Sequence, residues 1–137
     1  MCILHVTSNT DSFKEFIKST SLPVLWSYEK GDDSSKGKRP PKDHYAFACD
    51  VSKKEWNNFS GQVSDSIAFL QNNFAELKKL IKLYRIDDIR LDFPVESQLI
   101  RNELFSQCDF LPSELIKLAG QLNMGIEISQ YWPAEDE

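Results

Sequence analysis

An α+β fold on a mostly antiparallel sheet is what this sequence predicts, and three observations predict it. Short runs in which apolar and polar residues alternate are separated by stretches with apolar residues three and four apart. These patterns come in the order β-α-β-β-α-β and then α-β. The chain has 137 residues, enough for one domain to bury about two thirds of its unfolded surface without a disulfide or metal.

The first strand is Cys2 to Thr7. Cys2, Leu4 and Val6 share one side, and Ile3, His5 and Thr7 the other. A helix then starts with Asn9 or Thr10 as its cap and Asp11 in the first turn, where a negative charge suits the helix dipole. Phe13, Phe16 and Ile17 follow at helical spacing, and Pro23 ends the element. Val24 to Tyr28 reads as a second strand of ambiguous facing, since Leu25 and Trp26 are both large. Residues 29–43 are polar, carry Gly31, Gly37, Pro40 and Pro41, and predict a long mobile hairpin loop with Lys36-Gly37-Lys38-Arg39 at its basic centre.

His44 to Val51 is the third strand, with Tyr45, Phe47, Cys49 and Val51 facing one way and His44, Ala46, Ala48 and Asp50 the other. The longest helix spans about Gln62 to Tyr84. Its stripe of Val63, Ile67, Leu70, Phe74, Leu77, Ile81 and Tyr84, broadened by Ala68, Phe69 and Leu80, predicts packing on a sheet rather than a coiled-coil seam. Ile89, Leu91 and Phe93 alternate with Arg90 and Asp92 in a fourth strand that Pro94 should stop. Residues 98–105 suggest a short helix or turn. Pro112 should be the first residue of a last helix, with Leu115, Leu118, Ala119 and Leu122 buried and Gly125 closing it. Ile126 and Ile128 alternate with Glu127, Ser129 and Tyr131 in the last strand, and residues 132–137 form a short acidic tail.

The first six elements match the split βαβ, or ferredoxin-like, pattern. The expected architecture is therefore a ferredoxin-like βαββαβ unit extended by αβ. It is a single domain over 1–137, with helices on one face of the sheet.

At 41% hydrophobic and 27% charged residues the composition is ordinary for a globular protein, which excludes a disordered chain. The formal net charge is −5 and the pI about 5.1. That balance argues against a general nucleic-acid binder, which carries a basic stripe, and suits a basic protein partner. Cys2, Cys49 and Cys108 are few, odd in number and far apart, with no C-x-x-C. They predict free thiols and a cytoplasmic setting. No basic n-region opens the chain and no apolar run is long enough for a membrane span.

Two stretches carry a resemblance. Leu25-Trp26-Ser27-Tyr28-Glu29-Lys30-Gly31-Asp32 is similar to the W-x-x-x-KGD-type segment after the first helix in a family of uncharacterised bacterial domains. The run from Leu111-Pro112-Ser113-Glu114-Leu115-Ile116 through Gly125-Ile126-Glu127-Ile128-Ser129-Gln130-Tyr131 resembles that family's last helix and strand. Where the family usually has a tryptophan on the third strand, this chain has Tyr45-Ala46-Phe47. The resemblance implies a ferredoxin-like α+β fold and no activity. Small acidic domains of this kind also resemble, in type, the immunity proteins encoded beside bacterial toxins.

Candidate chemistry is sparse. No G-x-S-x-G and no glycine-rich phosphate loop occurs, and no cysteine sits in a catalytic signature. No metal or cofactor is expected. Adjacent carboxylates such as Asp87 and Asp88 point apart on a strand, which disfavours a shared ion. The acidic residues Asp32, Asp33, Asp87, Asp88, Asp92 and Glu127, with Trp132, are the expected partner-binding set. The expected function is that of an immunity protein, neutralising a co-encoded toxin such as a basic nuclease by masking it, as a monomer or weak dimer. One alternative uses His5 and His44, both expected on the helix-free face with Arg90, in acid–base chemistry, because histidine titrates near neutrality. Another is a structural subunit that dimerises through its exposed sheet face.

Overall fold

The computed structural model describes residues 1–34, 38–99 and 104–133. Nine elements follow in order: β1 (Cys2–Ser8), α1 (Lys14–Ser19), β2 (Val24–Tyr28), β3 (Tyr45–Ser52), α2 (Phe59–Asn72), α3 (Phe74–Leu83), β4 (Asp88–Glu96), α4 (Ser113–Gln121) and β5 (Gly125–Tyr131). The strands form one sheet in the order β2-β3-β1-β4-β5. β1 runs antiparallel to both neighbours, pairing Leu4 with Cys49 on one side and with Leu91 on the other. β2 and β3 are an antiparallel hairpin pair. The first four strands thus have the ferredoxin-like arrangement, and the fold is α+β with a mostly antiparallel sheet. β5 is parallel to β4, as a strand reached by a helical crossover can be.

Alternation decides which side is covered. Leu4, Val6, Phe47, Cys49, Leu91 and Phe93 point to one face and pack against Leu70, Leu77, Leu80, Leu115 and Leu122 of the helices. The apolar stripe of the central helical region is a packing stripe, as its width predicts. It lies on two helices rather than one. Asn73, at φ −114° and ψ 15°, leaves helical geometry, and both its backbone N–H and its side-chain amide donate to the Phe69 carbonyl, at 3.0 and 2.9 Å. An asparagine that satisfies the backbone locally competes with helix continuation. The stripe resumes in phase, because Leu70 and Leu77 are both fully buried.

Four other boundaries differ from expectation. β4 runs through Pro94 to Glu96. Even-numbered β4 residues aim their N–H toward β1, whose pairing ends at Ile3 opposite Asp92. The N–H that proline lacks therefore has no strand to meet, and the Pro94 carbonyl accepts from the buried Gln62 side chain at 2.9 Å. Pro112 is the extended cap of α4, one residue before the helix (φ −69°, ψ 154°). The left-handed residue after α4 is Asn123 (φ 53°), not Gly125, which opens β5. α1 also begins later than the capping residues suggest, because Ser8 Oγ accepts from the Thr10 and Asp11 N–H groups in a turn before it.

The described part of the 29–43 segment is a hydrogen-bonded extension of the β2–β3 hairpin. Gly31 (φ 93°) donates to the Lys42 carbonyl at 2.7 Å, Lys42 donates back to the Asp32 carbonyl at 2.9 Å, and Ser34 bridges to Arg39. Lys36 and Gly37 of its basic centre, residues 100–103 of the expected short helix or turn, and 134–137 of the acidic tail lie outside the described residues.

Candidate functional site

The face of the sheet that none of the described helices covers is where several of the candidate residues gather. A bulge at Leu25 sets its aromatic end. Val24 pairs with Cys49 on the covered side, while Trp26 pairs with Ala48 and Tyr28 with Ala46 on the bare side. One cross-strand row therefore reads Trp26, Ala48, His5, Arg90, Gly125, and the next reads Tyr28, Ala46, Thr7, Asp88. The small side chains of Ala46 and Ala48 lie buried between large neighbours. Trp26 and Tyr28 stack in parallel with centroids 5.6 Å apart, His5 leans on Trp26 at 5.9 Å, and Lys42 Nζ sits 4.4 Å from the Tyr28 ring centre.

The charged end lies across β4 and β5. Arg90 donates from Nε to Asp88 at 2.8 Å and from Nη1 to Glu127 at 2.5 Å. Asp88 first, and Glu127 with it, pushes the guanidinium further up from its ordinary value, so it stays charged. Asp92 accepts from Ser129 Oγ at 2.7 Å and lies 3.7 Å from His5 Nε2. Together, His5, Trp26, Tyr28, Asp88, Asp92 and Glu127 border a shallow concavity of about 270 Å³.

The histidines do not meet. His44 lies just before β3, beside Tyr28, so the Trp26 and Tyr28 rings stand between it and His5. His44 Nε2 is 2.6 Å from the Tyr28 hydroxyl and its Nδ1 is 2.6 Å from Asp43. A single tautomer satisfies both contacts, with the phenol donating to Nε2 and Nδ1–H donating to Asp43. Burial, and then the Asp43 charge, pushes the Tyr28 phenol up, so it remains a proton donor; the hydrogen bond from His44 holds the Asp43 carboxyl below its usual range. These contacts latch the mouth of the hairpin.

The other acidic candidates lie elsewhere. Asp87 accepts from the Asn9 N–H at 2.6 Å and ties the end of β1 to the start of β4. Asp32 accepts from the Glu29 N–H within the hairpin extension, and Asp33 is exposed next to it. Trp132 lies beyond β5 and, with Ser97, Leu99, Gln130 and Tyr131, lines a separate hollow of about 330 Å³. Among the described residues no group of three or more His, Cys, Asp or Glu could hold a metal ion, and no helix is long and apolar enough to cross a membrane. Burial pushes the Cys2 and Cys49 thiols up to about 12, which leaves them protonated and unreactive near neutrality.

Comparison with family models, curated proteins and solved structures finds no match. What the bare face does has to be argued from its geometry. Sequence reasoning missed Trp26, Tyr28, Lys42 and Asp43. The spacing of Trp26 and Tyr28 two apart was the available signal, and the bulge at Leu25 obscured it by breaking the alternation with Val24.

Proposed function

We propose that this chain is a protein-binding module of the immunity type, which masks a basic toxin domain with its bare sheet face. The observation that carries this reading is the gathering of three carboxylates on the sheet face that the described helices leave bare, Asp88 and Glu127 on Arg90 and Asp92 beside His5, all bordering one concavity. The net charge of −5 extends the same sign over the molecule. Acidic surface speeds encounter with a basic partner and repels phosphate. Tryptophan and tyrosine beside the carboxylates supply the residue types that dominate binding energy at protein interfaces. Free Cys2, Cys49 and Cys108 suit the reducing cytoplasm in which an immunity protein protects its producer. The resemblance of residues 25–32 and 111–131 to uncharacterised bacterial domains fits a bacterial source.

The test is calorimetric titration of the chain with the toxin domain encoded by the adjacent gene. Tight binding that weakens with added salt is expected. Asp88→Asn with Asp92→Asn should weaken it about tenfold or more, the scale of desolvated interfacial charges. Equal affinity in the double variant would overturn the reading. The enzyme alternative has the His5–Asp92 and His44–Asp43 contacts in its favour, but the stacked Trp26 and Tyr28 rings stand between the two histidines.

A further inference from the structure

The two edges of the sheet are built differently. β2 is five residues long, carries the bulge at Leu25 and leads into the hairpin extension. β5 is seven residues long and holds an unbroken register against β4 from Gly125 opposite Arg90 to Tyr131 opposite Glu96. It contains no proline, no lysine and no bulge, and its only charge is Glu127. Devices of that sort normally blunt an edge strand against added pairing. The hydrogen-bonding polarity of β5 is also fixed. The Ser97 N–H donates to the Tyr131 carbonyl at 3.1 Å. Gly125, Glu127, Ser129 and Tyr131 therefore turn their backbone groups toward β4. Ile126, Ile128 and Gln130 turn theirs outward, and Ile128 is 38% exposed.

We infer that this edge pairs with the same edge of a second copy of the chain, antiparallel and centred on Ile128. The self-complementarity of the strand selects that occupant and that register. In an antiparallel pair, outward-facing residues must oppose outward-facing residues. A two-fold axis at Ile128 places Ile128 opposite its own copy and Ile126 opposite Gln130, so all three outward residues of each chain exchange both bonds. On the bare face Glu127 then opposes Ser129, and the Tyr131 ring opposes Gly125, where there is room for it. Shifting the axis to Glu127 sets two carboxylates directly opposite one another, which is destabilising. Shifting it to Ser129 shortens the paired stretch. A one-residue slip sets covered-face residues against bare-face residues and fails on both pattern and polarity. The axis runs perpendicular to the sheet, so both helical layers lie on one side. The product is a continuous ten-stranded sheet whose two bare faces form a single surface. The contact is self-complementary, as a two-fold interface requires, and it is independent of the partner-binding reading.

Light scattering across roughly 1 µM to 1 mM should show a reversible monomer–dimer equilibrium. Ile128→Pro removes only outward N–H groups, and Ile128→Lys sets two ammonium groups against each other while keeping the backbone. Each should raise the dissociation constant at least tenfold with the circular dichroism spectrum unchanged. In a Cys108→Ser background, Ile128→Cys should form an intermolecular disulfide on mild oxidation, because directly opposed hydrogen-bonded residues lie about 5.5 Å apart between Cα atoms, within disulfide range. Ile126→Cys should not, because its opposite residue is Gln130. A monomer at every concentration, a dimer indifferent to both Ile128 substitutions, or equal cross-linking at 126 and 128 would each overturn the inference.

Discussion

Gln62 is fully buried, and its amide nitrogen donates to the Pro94 carbonyl at 2.9 Å and the Glu55 carbonyl at 3.1 Å. It joins the start of α2 to the stretch of β4 where the proline interrupts the ladder. Gln62→Ala leaves two carbonyls without that donor and opens a void. We expect a loss of about 2–4 kcal/mol, read from the urea midpoint. The buried thiols make a pH-dependent contribution. Desolvation raises Cys2 and Cys49 from 9.0 to about 12 in the folded chain. A folded value above the unfolded one means that the contribution is complete below pH 9 and is lost as the pH climbs toward about 12. The loss amounts to as much as about 4 kcal/mol for each thiol. Urea unfolding at about pH 8 and about pH 11 should therefore show a large drop, and Cys49→Ala, which removes one of the titrating groups, should make that drop smaller.

The elements themselves turn on small local choices. Asn123 holds the left-handed position after α4, and the Met124 N–H behind it donates to the Ala119 carbonyl at 2.9 Å. Asn123→Gly should gain a few tenths of a kcal/mol to about 1 kcal/mol, and Asn123→Val should lose about 1–2 kcal/mol. Thermal melts of the two variants check the opposite signs. Strand alternation in Cys2–Thr7, Tyr45–Val51 and Ile89–Phe93 was legible because burial on one face of a sheet imposes a period of two. The helix break at Asn73 was not legible, because the apolar stripe keeps its phase across it. Nor was the passage of β4 through Pro94, which depends on where β1 ends and on a glutamine 32 residues away. Arg90, Asp92 and Glu127 could be assigned to one face by alternation. The exclusion of Asp87 could not, because it depends on the Asn9 N–H, 78 residues distant in the chain.

For the molecule as a whole, β1 is the keystone. Cys2, Leu4 and Val6 are wholly buried, and both ladders of the strand join it to segments far along the chain. Deleting residues 1–8 should abolish cooperative unfolding, checked by circular dichroism against urea, because the strands on either side then have no common partner. The bare face places no comparable demand on stability. Arg90, Asp88 and Glu127 are each more than 40% exposed, and ion pairs that open to water contribute about 1 kcal/mol or less.

The position of β1 at the middle of the sheet also has a consequence for biosynthesis. The strand leaves the ribosome well before β4, which closes its second side and begins only at Asp88. At about 5–20 residues per second, that delay is roughly 4–16 s. Throughout it, one side of Cys2, Leu4 and Val6 has no sheet to join. The nascent chain therefore stays open to capture by chaperones, or to misassociation, until β4 has been synthesised.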